Sequence, residues 1–296
     1  MASSAVVQVA SRYERRTTVY FADVRSEVGL NPLEKNPCEL LDFAKIALPP
    51  GGTYEGNTGD REGLLVALSG TATINACSVE FANVGGRPNV FSGLPHAVYM
   101  PPDCPYKISV PDGIRSFEAA LPMAKASDGS APFLIEPSQV KTGKWGISNF
   151  SRSFHQILVH GQHPGRKVSR LIVGETFTPS GNWSTYPPHR HEHDNPPHEV
   201  FMEEMYYFRV APSEGWGLAK YYNDDRSIDE AYTVKDNTIL MMPKGYHTVV
   251  SAPGYTTYYM WFLAGNTRVQ ATVDDPDVGW VSRAIPMIKN IEENLS

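Results

Sequence analysis

The chain has 296 residues, 41% of them hydrophobic and 20% charged, with a formal net charge of -6. That composition belongs to a globular protein with well-buried cores. Its acidic balance excludes the basic surface that nucleic acid requires and the polybasic patch that an anionic membrane requires.

The first stretch, Met1 to Arg16, has an apolar patch at Ala5–Ala10 but no basic segment before it, a poor match to a secretory signal. No later run is long and apolar enough for a transmembrane helix. Gly and Pro, 24 of each, punctuate short runs rich in Val, Ile, Tyr and Phe, which predicts an all-β protein. Short helices are expected only at Glu39–Phe43 and Met287–Asn294. Strands in the first half are expected near Asp42–Ala47, Gly63–Ser69, Thr71–Asn75, His96–Met100, Tyr106–Val110 and Ile114–Leu121. Ala126 to Lys144 is richer in Ser, Gly, Lys and Pro and reads as a linker or crossing segment. Beyond it, strands are expected near Phe154–Val159, Ser169–Thr176, Glu203–Val210, Gly217–Tyr222, Thr238–Met242, His247–Ser251 and Tyr255–Leu263. The widely spaced Cys38, Cys77 and Cys104 form no disulfide framework and are expected as free, buried thiols in a reducing, cytoplasmic setting.

One offset recurs. Glu62 and Glu204 each head an apolar strand, Pro101 and Pro243 each follow one, and Pro111 and Pro253 fall in similar turns, all 142 residues apart. Three such matches predict a duplicated β-domain. A double-sheet jelly roll or small barrel suits each copy, with a ligand pocket inside. The expected organisation is a first barrel over 1–125, a linker or crossing segment over 126–150 and a second barrel over 151–296.

The second copy carries the chemistry. His189 and His191 are two apart, which on a strand puts both imidazoles on one face roughly 7 Å apart. Glu204, Tyr206 and Phe208 share one face of the following strand, and Phe208 marks that face as interior, selecting Glu204 over Glu203. His247 follows the tight turn made by Pro243 and Gly245. Three histidines and a carboxylate suit a divalent metal, Zn or Mn alike. His193 is a further candidate, although the chain should already be turning there. In the first copy Pro105 stands where His247 stands in the second, and GGTYEG replaces the histidine pair, so that copy is expected to bind no metal.

An HxH pair, a strand-opening glutamate and a turn followed by histidine resemble the two cupin motifs. The strings TPSGNWSTYPPHRHEHD, EEMYYFRV, YNDDRSIDE and MPKGYHTVVSAPGY resemble the 5-deoxy-glucuronate isomerases of bacterial inositol catabolism. That resemblance covers nearly all of the second half and, more weakly, the first. It implies a tandem cupin whose metal ligands are His189, His191, Glu204 and His247. It also implies an aldose–ketose isomerisation of 5-deoxy-D-glucuronate through a metal-stabilised enediol.

Such a reaction needs a base, for which Glu175, Glu203, Tyr186 and Tyr246 are candidates. The substrate carboxylate needs a cation, for which Arg152, Arg170 and Lys244 are candidates. Trp183 is placed either to stack on the sugar or to pack a turn. Alternatives are an isomerase of the 4-deoxy-L-threo-5-hexosulose-uronate type, a cupin dioxygenase, and a non-enzymatic binding or storage bicupin. A small sugar acid is the expected partner, with no nucleic acid or membrane, and a homodimer the expected assembly.

Overall fold

The computed structural model describes residues 19–113 and 115–295. The Met1–Arg16 stretch lies outside them, as does Ile114, the first residue of one expected strand. Among the described residues, no helix is long and apolar enough to cross a membrane.

Four antiparallel sheets form two barrels. In the first, a six-stranded sheet built around Arg61–Ser69 and Phe117–Lys125 faces a four-stranded sheet containing Pro105–Ser109. In the second, a seven-stranded sheet built around Met202–Ala211 and Thr256–Gly265 faces a five-stranded sheet containing Trp183–Arg190 and Tyr246–Ser251.

The two larger sheets pack back to back, which explains why their central strands read as continuous apolar runs rather than alternating ones. In Arg61–Ser69, Leu65 and Ala67 face the first barrel's interior, while Leu64, Val66 and Leu68 face the second half. Across that joint Phe43 stacks on Tyr207 and Phe262, with ring centroids 5.1 and 5.7 Å apart.

Charged groups also cross the joint. Glu62 accepts hydrogen bonds from the backbone N–H groups of Ser169, Arg170 and Leu171 at 2.6–2.8 Å, and from the Tyr99 hydroxyl at 2.7 Å. Reciprocally, Glu203 accepts from the N–H groups of Glu39, Leu40 and Leu41 at 2.8–3.0 Å. Arg87 reaches from the first half to make a two-pronged pair with the buried Glu175, at 2.6 and 3.2 Å.

This pairing corrects the repeat by one residue. Met100, just before Pro101, pairs with Gly63, whereas Met242, just before Pro243, pairs with Glu204. Gly63 therefore holds the place of Glu204, and Glu62 corresponds to Glu203. A one-residue slip reverses the face of a side chain. In the first barrel the interior is filled instead by apolar groups. The Tyr106 ring packs so closely on Gly56 that a β-carbon there would lie 2.6 Å from it.

Several local expectations change. Glu39–Phe43 forms no helix: Leu41–Leu48 is a strand paired with Gly29–Pro32 and Phe117–Lys125, and the amides before it are held by Glu203. These are long-range partners that local sequence does not announce. The segment around Ala126–Lys144 contributes Phe133–Ile135 to the first barrel and Lys141–Trp145 to the second. Phe21–Asp23 covers the edge of the second barrel's large sheet by pairing with Thr238–Met242. Met287–Asn294 falls inside a helix, Trp280–Leu295. Cys77 and Cys104 are joined by a disulfide rather than free, because the turns carrying them meet at one end of the first barrel; Cys38 is a free thiol.

Candidate metal centre

Strand register assembles the site. In the five-stranded sheet, Tyr221, His247, His189 and Asp274 stand directly opposite one another on four adjacent strands. Opposed residues share a face, and that face is the interior of the second barrel. The facing sheet supplies Glu204 from the interior side of Met202–Ala211, with Tyr206 and Phe208 next along the same face.

His191 lies between the sheets. Its Nδ1 donates to the Met202 carbonyl at 2.5 Å, and Met202 N–H donates to the His191 carbonyl at 2.9 Å. With Nδ1 so engaged, Nε2 is the nitrogen turned toward the centre, 3.1 Å from Glu204 Oε2. His247 Nε2 is 3.0 Å from the same oxygen. The four donor atoms of His189, His191, Glu204 and His247 all lie within 4.8 Å of one another.

Electrostatics keep the group ready for a cation. Burial alone would raise the Glu204 carboxyl, but the His247 and His191 imidazoles hold it well below the usual carboxylate range. Burial, reinforced by His247 and His191, pushes His189 well below the usual imidazole value, so it stays neutral. For His191, burial lowers and Glu204 raises, and the raising wins.

Donor chemistry tests the fit. Both ring nitrogens of His247 are sealed from solvent without a hydrogen bond; the 3.0 Å approach of Nε2 to Glu204 gives charge attraction but not hydrogen-bond geometry. A fully buried imidazole left this way is costly unless something else binds it. Three imidazoles and a carboxylate converging on one point, one ring fixed through its far nitrogen to a carbonyl, fit a divalent ion.

A cavity of about 460 Å³ opens from His189 and Glu204. Arg152 lines it with its guanidinium 5.7 Å from the Trp145 ring centre. The Arg152 Nη1 makes one long bond to the Phe150 carbonyl, at 3.4 Å, while its Nε is buried without a partner. Tyr206 and Tyr259 stack at 4.4 Å, and their hydroxyls share Thr185 Oγ1 at 3.2 Å each. The C-terminal helix closes one side through Ser282 and Ile285.

Of the other expected site residues, Tyr186 lines this cavity, packed between Phe150 and Trp183. Glu175 does not. It lies on the opposite face of its sheet, at the joint between halves, bonded to Arg87, His155 and Tyr258. Glu203 is turned to the same joint. Tyr246 points away from the interior, as its adjacency to His247 requires, and stacks on Tyr222. Arg170 is spent on Gly265 and Asn266, and Lys244 is exposed on a turn. Trp183 packs outside the cavity with Tyr186 and the C-terminal helix. His193 is exposed and outside the cluster. Sequence reasoning missed Tyr259, Trp145, Trp261 and Asp274. Face alternation could have flagged Tyr259 and Trp261, which share one face of a single strand; nothing local marks Asp274.

Known proteins resemble the chain along most of its length. The chain is 38% identical over 244 residues to a 5-deoxy-glucuronate isomerase of Geobacillus thermodenitrificans, covering 82% of this chain and 86% of that protein. It is 34% identical over 251 residues to the 5-deoxy-glucuronate isomerase of Bacillus subtilis strain 168, covering 81% and 87%. Among solved structures, an IolB-like protein from Salmonella typhimurium superposes with a TM-score of 0.81 at 27% identity, over 89% of this chain and 99% of that one. An oxalate decarboxylase of Lactobacillus farciminis, at 11% identity and a TM-score of 0.63 over 94% of each chain, shares the tandem-cupin fold alone. The KduI/IolB family model matches residues 23–281, and the chain belongs to that family.

Proposed function

We propose that the protein is a metal-dependent aldose–ketose isomerase that converts 5-deoxy-D-glucuronate to 5-dehydro-2-deoxy-D-gluconate in inositol catabolism. The names of its relatives support the reaction. The observation that carries the reading is the largely buried quartet of His189, His191, Glu204 and His247 beside a cavity lined by Arg152, a cation without an ion-pair partner among the described residues.

A divalent ion, Zn or Mn, held by those four side chains would supply Lewis-acid polarisation of the substrate's carbonyl and adjacent hydroxyl oxygens. Everything else falls to the chain itself. Arg152, which makes no ion pair among the described residues, is free to grip the substrate carboxylate through two parallel hydrogen bonds. Trp145 and Trp261 wall the cavity and limit water. Tyr186 stands at its rim, placed to touch the sugar. Burial raises the phenols of Tyr206 and Tyr259, so both enter the reaction as hydroxyl donors rather than phenolates.

The test is metal content measured beside turnover. Wild-type protein is expected to carry a divalent metal and to isomerise 5-deoxy-D-glucuronate, and a chelator to abolish turnover. His247→Ala is expected to lose both metal and activity while keeping its fold. Retention of both by that variant overturns the site, and turnover only with 4-deoxy-L-threo-5-hexosulose-uronate reassigns the substrate.

A further inference from the structure

We propose that Asp274 is the base that carries the proton between the two adjacent substrate carbons; this deepens the isomerase reading above and rests on it. Asp274 belongs to a two-residue edge strand, Val273–Asp274, that pairs with the histidine strand so that Asp274 faces His189. His189 in turn faces His247. The three side chains thus form a row on the cavity side of the sheet, with directly opposed β-carbons about 5 Å apart. Asp274 lines the same cavity as His189, Glu204 and Arg152. It is not one of the four residues whose donor atoms converge, so it stands beside the metal quartet rather than within it.

Its orientation is fixed from the C-terminal helix. Ser282 Oγ donates to Asp274 Oδ2 at 2.7 Å, which anchors one oxygen of the carboxylate at the cavity wall. Among the described residues lining that cavity, Glu204 and Asp274 are the carboxylates, and Glu204 is engaged with His191 and His247. Arg152 is a cation, and the Tyr206 and Tyr259 hydroxyls are tied to Thr185 Oγ1.

The step balances without an oxidant. Asp274 takes the proton from the carbon bearing the hydroxyl next to the aldehyde. The C–H electron pair becomes the C=C bond of the enediol, and the aldehyde π pair moves to its oxygen. That oxygen takes up the proton that the neighbouring hydroxyl gives up as it becomes the ketone, so no proton is gained or lost overall. The C=C pair recovers the proton from Asp274 at the former aldehyde carbon.

The experiment uses full-length metal-loaded protein and 5-deoxy-D-glucuronate. Asp274→Asn is expected to keep its metal and a KM within about threefold of wild type while kcat falls about 10²- to 10⁴-fold. If Asp274→Asn turns over within about threefold of wild type, the base lies elsewhere. If it loses its metal, Asp274 is a ligand, and the proposal is equally overturned. Asp274→Ala gives a second check, since added formate is expected to restore part of its turnover; a loss that formate leaves untouched marks a structural role and overturns the proposal. An inactive wild type sinks the isomerase reading itself, whereas an active wild type with an active Asp274→Asn sinks only this inference.

Discussion

Adjacent glutamates show how finely side-chain direction divides labour. Glu204 turns inward to the histidines, and Glu203, one residue earlier, turns to the joint between the halves and holds three backbone amides. Glu175 is the more instructive case, because a buried carboxylate with a displaced pKa invites a catalytic reading. Burial alone would raise it, but the Arg87 guanidinium and His155 hold it at about 2, below its ordinary 4.5. A folded-state value below the unfolded one contributes stability that is fully present above about pH 4.5 and lost as the pH falls toward 2. Glu175→Gln leaves Arg87 buried without its counter-charge, and a loss of roughly 3–5 kcal/mol is expected at neutral pH. That deficit should shrink as the pH drops through the same window, since the wild-type carboxylate is then protonated too. Urea unfolding of both proteins across that range measures it. A deficit that does not change with pH would show that the pair contributes no charge-dependent stability.

Among the elements, the apolar strands were legible and most of the polar ones were not. Arg61–Ser69, Met202–Ala211 and Thr256–Gly265 announce themselves because both faces are buried and each contains a long apolar run. Thr53–Asn57, Asp229–Val234 and Val273–Asp274 are polar and short, and only their pairing partners make them strands. The site divides the same way. His189, His191, Glu204 and His247 could be chosen because the histidine pair is close in sequence, Glu204 lies on the apolar face of its strand and His247 follows a tight turn. The cation and base candidates could not be sorted so. Arg152, Arg170 and Lys244 differ in which cavity, carbonyl or solvent they meet, and that is settled by the packing of distant segments. One close approach shapes the cavity wall. Gly174 lies under the Trp261 indole, where an added β-carbon would come within 2.1 Å of the ring. Gly174→Ala must therefore displace Trp261, which lines the cavity. A stability loss of about 1–3 kcal/mol is expected from the overpacking. KM should rise while metal content stays unchanged, because the wall moves and the quartet does not. Thermal melts, steady-state kinetics and metal analysis read the three effects separately, and an unaltered KM would show that Trp261 does not shape substrate binding.

Taken whole, the molecule has two barrels but does not behave structurally as two independent domains. Domains joined by a linker commonly meet through modest polar surfaces and unfold apart. Here a single apolar cluster runs from Leu41, Phe43 and Leu64 through Tyr207, Tyr258 and Phe262. Glu62 and Glu203 clasp backbone amides in opposite directions across it, and Phe21–Asp23 crosses to complete the second barrel's sheet. The seven-stranded sheet also has two tasks. One face is the joint, while the other presents Glu204, Tyr206 and Tyr259 to the cavity. Separating the halves would expose the back of the sheet that carries Glu204 of the candidate metal centre. One cooperative thermal transition is therefore expected, with calorimetric and van't Hoff enthalpies equal. Phe43→Ala, on the first-half side and remote from the cavity, is expected to cost about 3–5 kcal/mol. Its melt should shift as a whole, with the two halves still unfolding together. Calorimetry of the metal-loaded protein decides the matter. If Phe43→Ala instead lowers only an early transition and metal is released in a later, unshifted one, the barrels fold independently and the first is no part of what holds the site together.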